Sequence, residues 1–165
     1  MSVELTIRSR QRVRQVNMRL LQRMLLELFA HLKIQEVELG VTLVAAPEMA
    51  RLNWQFLQHA GSTDVITFDH SEAQVSRRRT SVAGQQICGE LFICMDDAVE
   101  QARSFHTTWT AELVRYVVHG VLHLCGYDDH QGAARRKMKL AEDRLVAWLA
   151  AQFAFRAIAR PARKP

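Results

Sequence analysis

The chain has 165 residues and a hydrophobic fraction of 48%, which suits one globular domain with a sizeable core and is too short for two ordinary domains. Its net charge of +5 makes nucleic acid the leading class of partner, and no apolar run is long enough to cross a bilayer. The three cysteines are odd in number and lie in apolar segments, which is typical of reduced core residues and not of a disulfide framework. The first residues lack the apolar stretch of a secretory signal, so a cytoplasmic location is expected.

The first third of the chain alternates between strand and helix patterns. Residues 3–8 alternate apolar and polar side chains and predict a short strand, and apolar residues recur at helical spacing from Val13 to Leu32. Residues 37–46 predict a second strand. A short helix over 47–57 begins with proline, which is favoured in a first helical turn, and a loop follows over 58–62.

The middle of the chain contains two further strands and a helix. Residues 63–68 and 87–95 are rich in β-branched and apolar side chains, and we expect these two strands to pair across a polar loop that contains arginines. Residues 96–105 begin with two aspartates, as expected at the positive end of a helix. Residues 96–105 are therefore predicted to form a helix.

Two helices complete the pattern. One begins near Thr110, with Thr108 or Thr110 as its cap, and a long one covers 133–153. Helices and strands are mixed without a regular βαβ alternation, which indicates an α+β fold with a mixed sheet of about four strands packed with helices. We expect a single domain over residues 1–152 and a frayed basic tail over 153–165.

The motif HGVLHLCGYDDH predicts a metal site at the end of the central helix. His119 and His123 are one helical turn apart, so both imidazoles project from the same face and reach one ion. Gly126 is suited to the left-handed conformation that ends a helix and turns the chain back. Asp129 or His130 then supplies a third ligand. Two histidines, a third side chain and one open position are typical of catalytic zinc.

The helix that carries these histidines is apolar through most of its length, which raises the cost of leaving an imidazole unsatisfied. Gly120 is unexpected inside it, because glycine costs about 1 kcal/mol relative to alanine in a helix. A close approach by substrate or by another backbone would explain the glycine. Both observations favour a functional site over a simple core helix.

Three segments together resemble the YbeY family of endoribonucleases, the rRNA maturation factors of bacteria. They are HGVLHLCGYDD, the upstream LNWQFLQHAGSTDVITF and the strand GELFIC, and the resemblance covers residues 36–150. It implies a single-domain α+β fold, one zinc ion held by three side chains, and metal-dependent cleavage of single-stranded RNA. The implied setting is maturation of the 16S rRNA 3′ end and ribosome quality control. The implied partners are rRNA in ribosomal particles and ribosome-associated proteins, without a membrane.

The sequence departs from the family pattern at the third ligand. The family has a histidine directly after GYD, whereas this chain has Asp129 there and His130 one residue later. Asp129 keeps the expected spacing from His119, and a carboxylate is an ordinary zinc ligand. Because neighbouring residues in a turn point in different directions, we expect only one of them to bind. The predicted zinc ligands are therefore His119, His123 and Asp129, with His130 as the alternative.

A second departure lies upstream, where Leu57 replaces an arginine of the family. His59, or an arginine of the loop at 77–79, is a candidate for the missing phosphate contact. Thr63 and Asp64 match the T-(D/N)-V-(L/I) segment of the family and are candidates to line the cleft, although a turn at the entry to a strand is the more common explanation of such residues.

The expected chemistry is that zinc activates a water or polarises a phosphoryl oxygen, and so promotes hydrolysis of the RNA backbone. The catalytic group is then a water on the metal. Glu90 and Asp128 are possible proton carriers, but capping at a strand edge and at a helix end explains them equally, so no general base is assigned.

Two other functions compete with this interpretation. The spacing also resembles that of zinc metallopeptidases, but their glutamate after the first histidine is replaced by Gly120, which cannot act as a base. The replacement at Leu57 keeps open a noncatalytic ribosome-associated protein whose zinc only stabilises the fold. Loss of activity on His123→Ala with the fold retained would favour the enzyme.

Overall fold

The computed structural model describes residues 1–72 and 84–160. In chain order its elements are β1 (Ser2–Arg10), α1 (Met18–His31), β2 (Ile34–Val44), α2 (Ala46–Leu57), β3 (Val65–Asp69), β4 (Gln85–Cys94), α3 (Met95–Phe105), α4 (Trp109–Leu124), α5 (Gly132–Gln152) and a 3-10 turn at Phe155–Ile158. None of the described helices combines the length and apolar character needed to cross a membrane.

The four strands form one mixed sheet in the order β1-β2-β4-β3. The first three run parallel in this order, and β3 is added antiparallel to β4 at the edge. The predicted pairing of the third and fourth strands is therefore confirmed, with Val65 opposite Ile93 and Asp69 opposite Gly89. The α+β class with a mixed sheet of four strands is confirmed as well.

The main core lies between one face of the sheet and the helices α1, α4 and α5. Alternate strand residues point into it, as the two-residue period of a strand requires. The sheet, α1 and α4 contribute fully buried side chains to it, and α5 contributes Met138, Leu145 and Leu149: the first group includes Phe29, Leu43, Leu91, Ile93, Leu113, Val118 and Leu122. A smaller cluster on the other face packs α2 against the sheet through Val44, Met49, Ile66 and Cys94. Helix α4 is thus held between the sheet and α5.

Helix α1 begins five residues later than predicted. Of the apolar positions before it, Val13 belongs to a turn in which the side chain of Gln11 accepts hydrogen bonds from the following backbone, and Val16 forms an antiparallel β-bridge with Ala159. Asn17 then caps the helix, because its side-chain oxygen accepts from the N–H of Leu20 over 3.2 Å. The apolar periodicity therefore extends beyond the N-terminal end of the helix.

Residues 153–160, assigned above to a frayed tail, pack onto the domain. Ile158 has no exposed surface, and its carbonyl accepts from the N–H of Asn17 over 2.7 Å. The N–H of Arg160 donates to the carbonyl of Gln15 over 3.1 Å. Fraying is therefore wrong for this part, because one apolar side chain and two backbone bonds fasten it. Residues 161–165, like the arginines at 77–79, lie outside the described residues.

Candidate metal centre

The end of α4 turns the chain back toward its own histidines. Gly126 has a φ angle of +95°, a backbone conformation that residues other than glycine rarely adopt. Its N–H donates to the carbonyl of His123 over 3.0 Å, and the N–H of Tyr127 donates to that of Leu122 over 3.0 Å. These bonds satisfy carbonyls at the helix end. The turn predicted at Gly126 is present and brings Asp129 over the last turn of α4.

Three ligand-type atoms meet at this turn. The Nε2 atoms of His119 and His123 are 3.1 Å apart, and Oδ2 of Asp129 lies 3.5 Å from each of them. All three side chains are half-buried. The structure thus brings together the three side chains that the sequence predicts as ligands.

His130 lies outside this group. Its side chain is 87% exposed, and its Nε2 is 4.0 Å from Oδ1 of Asp128. The same carboxylate accepts the backbone N–H of His130 over 2.9 Å, which fixes the turn and directs the imidazole outward. Asp128, Asp129 and His130 form a second group of neighbouring side chains that could bind a metal ion, but two of the three are exposed. The geometry therefore favours Asp129 over His130.

Hydrogen bonds define the tautomer of both histidines. Nδ1 of His119 is 2.9 Å from a carboxylate oxygen of Glu142, and Nδ1 of His123 is 3.1 Å from the carbonyl oxygen of Tyr127. Both partners can only accept, so each imidazole donates from Nδ1. In the neutral form of each imidazole, Nε2 then presents a lone pair to the space beside Asp129.

This donor set fits a small divalent ion. Two imidazole lone pairs and a carboxylate repel one another unless a proton or a cation lies between them. A tetrahedral ion with bonds of about 2.0–2.1 Å separates its ligand atoms by about 3.3 Å. The observed separations of 3.1, 3.5 and 3.5 Å bracket this value. The histidines also show the carboxylate and carbonyl partners that commonly orient metal-binding imidazoles.

Glu142 is charged although its side chain is only 7% exposed. Burial raises the pKa of this carboxyl, but hydrogen bonds with His119 and Arg115 outweigh burial and lower it to about 2. Arg115 donates to Glu142 and to Asp143, each over 2.7 Å. Burial lowers the pKa of His119, but the bond to Glu142 and the charges of Glu142 and Asp129 raise it above its ordinary value.

Sequence reasoning missed Glu142 and Arg115. One signal was available, because Glu142 interrupts the inward apolar stripe of α5 formed by Met138, Leu145 and Leu149. A carboxylate at a core-facing position needs a polar partner. What the pattern does not give is that the partner belongs to α4.

Two cavities open onto the ligand-type side chains, the first onto two of them and the second onto all three. One of about 420 Å³ lies between α4 and α5 and is lined by Asp64, Arg115, Tyr116, His119, Asp129, Arg135, Met138, Lys139 and Glu142. The other, of about 510 Å³, follows strand β3 and is lined by Leu57, Thr63, Asp64, Val65, Ile66, Thr67, Asp69, His119, His123, Asp129 and His130. They share Asp64, His119 and Asp129. Together they form a groove, called here the metal-site groove, that passes the ligand set on both sides.

Some of the other candidate residues from the sequence line the metal-site groove, and others lie away from it. Leu57, Thr63 and Asp64 line it, and Asp64 also accepts the N–H of Val65 over 2.8 Å, so the cleft and the turn interpretations both hold. His59 is exposed and lines neither cavity. Glu90 lies on the opposite face of the sheet, 3.2 Å from His70, and is remote from the ligand set.

Gly120 is explained by packing against the sheet. A Cβ atom there would lie 2.6 and 2.8 Å from the two methyl carbons of Leu91, whose side chain is fully buried. The close neighbour is therefore a side chain of β4, not substrate or backbone as predicted. Glycine at this position lets α4 sit against the central strand.

Comparisons with known proteins agree on one family. The model of the family Endoribonuclease YbeY matches residues 4–150. The chain is 39% identical over 102 residues to the endoribonuclease YbeY of Parabacteroides distasonis, an alignment that covers 62% of this chain and 64% of that protein. It is 39% identical over 108 residues to the endoribonuclease YbeY of Salinibacter ruber, covering 66% and 68%. The first alignment thus spans just under two thirds of the relative.

A solved structure gives the same result for the fold. The solution structure of the protein TM1509 from Thermotoga maritima matches with a TM-score of 0.63 and 26% identity. The match covers 90% of this chain and 91% of that one. The arrangement of sheet and helices is therefore shared over nearly the whole length of both proteins.

Proposed function

The chain belongs to the endoribonuclease YbeY family, and we propose that it is a metal-dependent hydrolase that cleaves RNA at the site of His119, His123 and Asp129. The observation that carries the proposal is the convergence of two imidazole lone pairs and one carboxylate at a groove. Zinc is the proposed ion, because it is commonly bound by two histidines and a carboxylate. When bound, such an ion supplies Lewis-acid stabilisation of the charge that develops on a phosphoryl oxygen.

The surrounding residues have distinct proposed roles. Glu142 holds the His119 ring so that Nε2 faces the groove, and Tyr127 does the same for His123 through its carbonyl. Arg135 and Lys139, on the α5 side of the groove, attract backbone phosphates. At the other end of the metal-site groove, the side chain of Leu57 is uncharged. Attraction of substrate therefore comes from the α5 side.

We assign rRNA in ribosomal particles as the substrate, with processing of the 16S rRNA 3′ end and ribosome quality control in the cytoplasm as the setting. The named relatives are endoribonucleases, and the net charge of +5 suits a polyanionic substrate. Ribosome-associated proteins are proposed to present the RNA. We propose unpaired segments as the part that is cut, with the strand extending to both sides of the ligand set along the groove.

The test is cleavage of a structured rRNA fragment, and of ribosomal particles, by purified protein whose metal content is known. His123→Ala is compared with His130→Ala, a matched control with an exposed imidazole seven residues away. Wild type and His130→Ala are expected to cut, and His123→Ala to lose both metal and activity. Metal-loaded wild type that binds either substrate without cutting it would replace the proposal with a noncatalytic ribosome-associated protein.

A further inference from the structure

The C-terminal turn of α2 exposes an unusual concentration of large apolar side chains. Trp54, Phe56 and Leu57 are 64%, 54% and 45% exposed. They are half of the six large hydrophobic side chains that are exposed in the described part of the chain. We call these three residues the α2 platform. Trp54 and Leu57 share one side of the helix and Phe56 projects from another, and exposed apolar groups that lie side by side commonly mark a binding surface.

The platform is continuous with the metal-site groove. Leu57 lines the same 510 Å³ cavity as His119 and His123. Trp54 lies three residues before Leu57 in α2, so the two side chains are neighbours on the helix surface. A ligand that passes the histidines along β3 therefore meets Leu57 first and Trp54 next.

The platform is also held in place. Asn53, 4% exposed, donates from its side chain to the carbonyl of Gly61 over 3.0 Å, which fastens the end of α2 to the following loop. The ring of Phe56 packs edge-on against that of Phe68, with centroids 5.2 Å apart. These contacts anchor the end of α2 and the ring of Phe56, so Trp54 projects from a helix end that is itself held in place.

The two ends of the groove offer opposite chemistry. At the α5 end Arg115 and Lys139 are paired with carboxylates, whereas Arg135 is exposed. At the α2 end Leu57 and Trp54 present apolar and aromatic faces. Among the residues that the structure describes, the metal-site groove as a whole is lined by four carboxylates and three lysine or arginine side chains, so its positive charge is local to Arg135 and its neighbours on α5. An unpaired nucleic-acid strand carries phosphates that match this cationic end and flat bases that match an aromatic side chain.

We propose that the α2 platform binds one or two unpaired bases of the RNA, adjacent to the phosphate that lies at the metal site. The inference rests on the proposed function, since it places RNA in the metal-site groove. The bases stack on Trp54 and against Leu57, while phosphates on the other side of the cut approach Arg135. Trp54 is then a residue that selects for accessible bases and not for charge.

The test measures binding to protein treated with chelator, so that no cleavage interferes. The probes are a fluorescently labelled oligoadenylate of eight nucleotides and the same backbone with abasic sugars. Trp54→Leu should weaken oligoadenylate binding by roughly five- to 100-fold, the value of about one stacked base. Trp54→Phe should restore most of it. The matched control is Phe105→Leu, which removes an equally exposed ring from α3 and should bind like wild type.

Two further readouts separate stacking from attraction by charge. Wild type should prefer oligoadenylate to the abasic backbone, and Trp54→Leu should lose most of that preference. The salt dependence of binding should be unchanged in Trp54→Leu and shallower in Arg135→Gln, because only the second removes a phosphate contact. Oligoadenylate should quench tryptophan fluorescence in wild type and much less in Trp54→Leu.

The inference is overturned if Trp54→Leu binds both probes as wild type does, or if its only effect is to change the oligomeric state, which would make the platform a contact between copies of the chain. Its failure differs from failure of the proposed function. If metal-loaded Trp54→Leu cuts RNA as well as metal-loaded wild type, the proposed nuclease function stands and the platform has no role. Wild type that stacks bases without cutting would keep the platform and remove the nuclease.

Discussion

A carboxylate oxygen of Glu142 on α5 lies 2.9 Å from Nδ1 of His119 on α4, and its other oxygen accepts from Arg115 over 2.7 Å. The carboxylate thus connects the imidazole to a guanidinium that is itself anchored on α4. Because an ionised carboxylate only accepts, the proton of the imidazole stays on Nδ1. The orientation of one ligand-type histidine is therefore set by the packing of the last helix.

Replacing Glu142 should weaken metal binding without removing a ligand. Glu142→Ala is expected to lower zinc affinity by roughly 10- to 100-fold, the usual cost of losing such a partner, and Glu142→Gln by less because its amide oxygen still accepts. Competition with a chelating dye measures the affinity. Asp143→Ala is the matched control, since Asp143 also accepts from Arg115 over 2.7 Å but does not contact His119. Equal losses in both variants would contradict the positioning role.

Asp129 and His130 should differ sharply when each is changed to alanine. Asp129→Ala removes an oxygen 3.5 Å from both Nε2 atoms and should cost more than the roughly 100-fold loss that follows removal of an outer partner. His130→Ala should retain stoichiometric metal. Metal content after dialysis, measured by atomic emission, decides between them. If Asp129→Ala retains stoichiometric metal, the third metal ligand would instead be assigned to His130.

Gly120→Ala should destabilise the protein through one contact. The new methyl group would meet Leu91, an overpacking cost of roughly 1–3 kcal/mol, against a gain of about 1 kcal/mol from helix propensity. We expect a net loss in urea unfolding of the metal-free protein. In a Leu91→Ala background the space is open, and the same substitution should become neutral or stabilising. A loss of equal size in both backgrounds would point to another cause.

Chelation should leave the fold intact. The main core, centred on Phe29, Leu91 and Leu113, is closed by apolar contacts that do not involve the ligand set. Far-ultraviolet circular dichroism should therefore be unchanged in EDTA. The melting temperature should fall, since an ion at about 1,000 times its dissociation constant contributes about 4 kcal/mol. Loss of the helical signal on chelation would favour a purely structural ion.

Cys94 should resist alkylation at pH 8 in the native protein. Its side chain is fully buried, and burial raises the pKa of the thiol despite the opposing hydrogen bond to Ser62. Little thiolate is therefore present below the ordinary thiol pKa, and reaction requires opening of the small core around α2. Peptide mapping after iodoacetamide treatment, with and without urea, measures the effect. Modification as fast as in urea would show that this cluster opens freely.

Local signals explain most of what the sequence predicted about the site. The spacing of His119 and His123 and the glycine at 126 act within two helical turns, so a helix pattern is enough to place them. The choice between Asp129 and His130 needed the structure, because it depends on the turn that Asp128 fixes. Glu142 could not be assigned a partner, because the docking of α5 on α4 is determined by the whole core.

The fold shows the same division between local and distant information. Strand pairing between β3 and β4 follows from two adjacent apolar segments, and the structure confirms it. The start of α1 differs from the prediction because Val13 and Val16 continue an apolar pattern beyond the cap at Asn17. The packing of Ile158 was missed because one apolar residue in a basic segment carries no periodic signal.

All three ligand-type side chains come from residues 119–129, a single continuous stretch of chain. Closing so short a loop costs little entropy, and each doubling of loop length would add only about 0.6 kcal/mol. An ion that joins these side chains therefore links no distant parts of the sequence, and the slow search for long-range contacts proceeds without it. The binding pocket for the ion assembles with one helix and its following turn, so the rate of folding should be nearly independent of metal concentration.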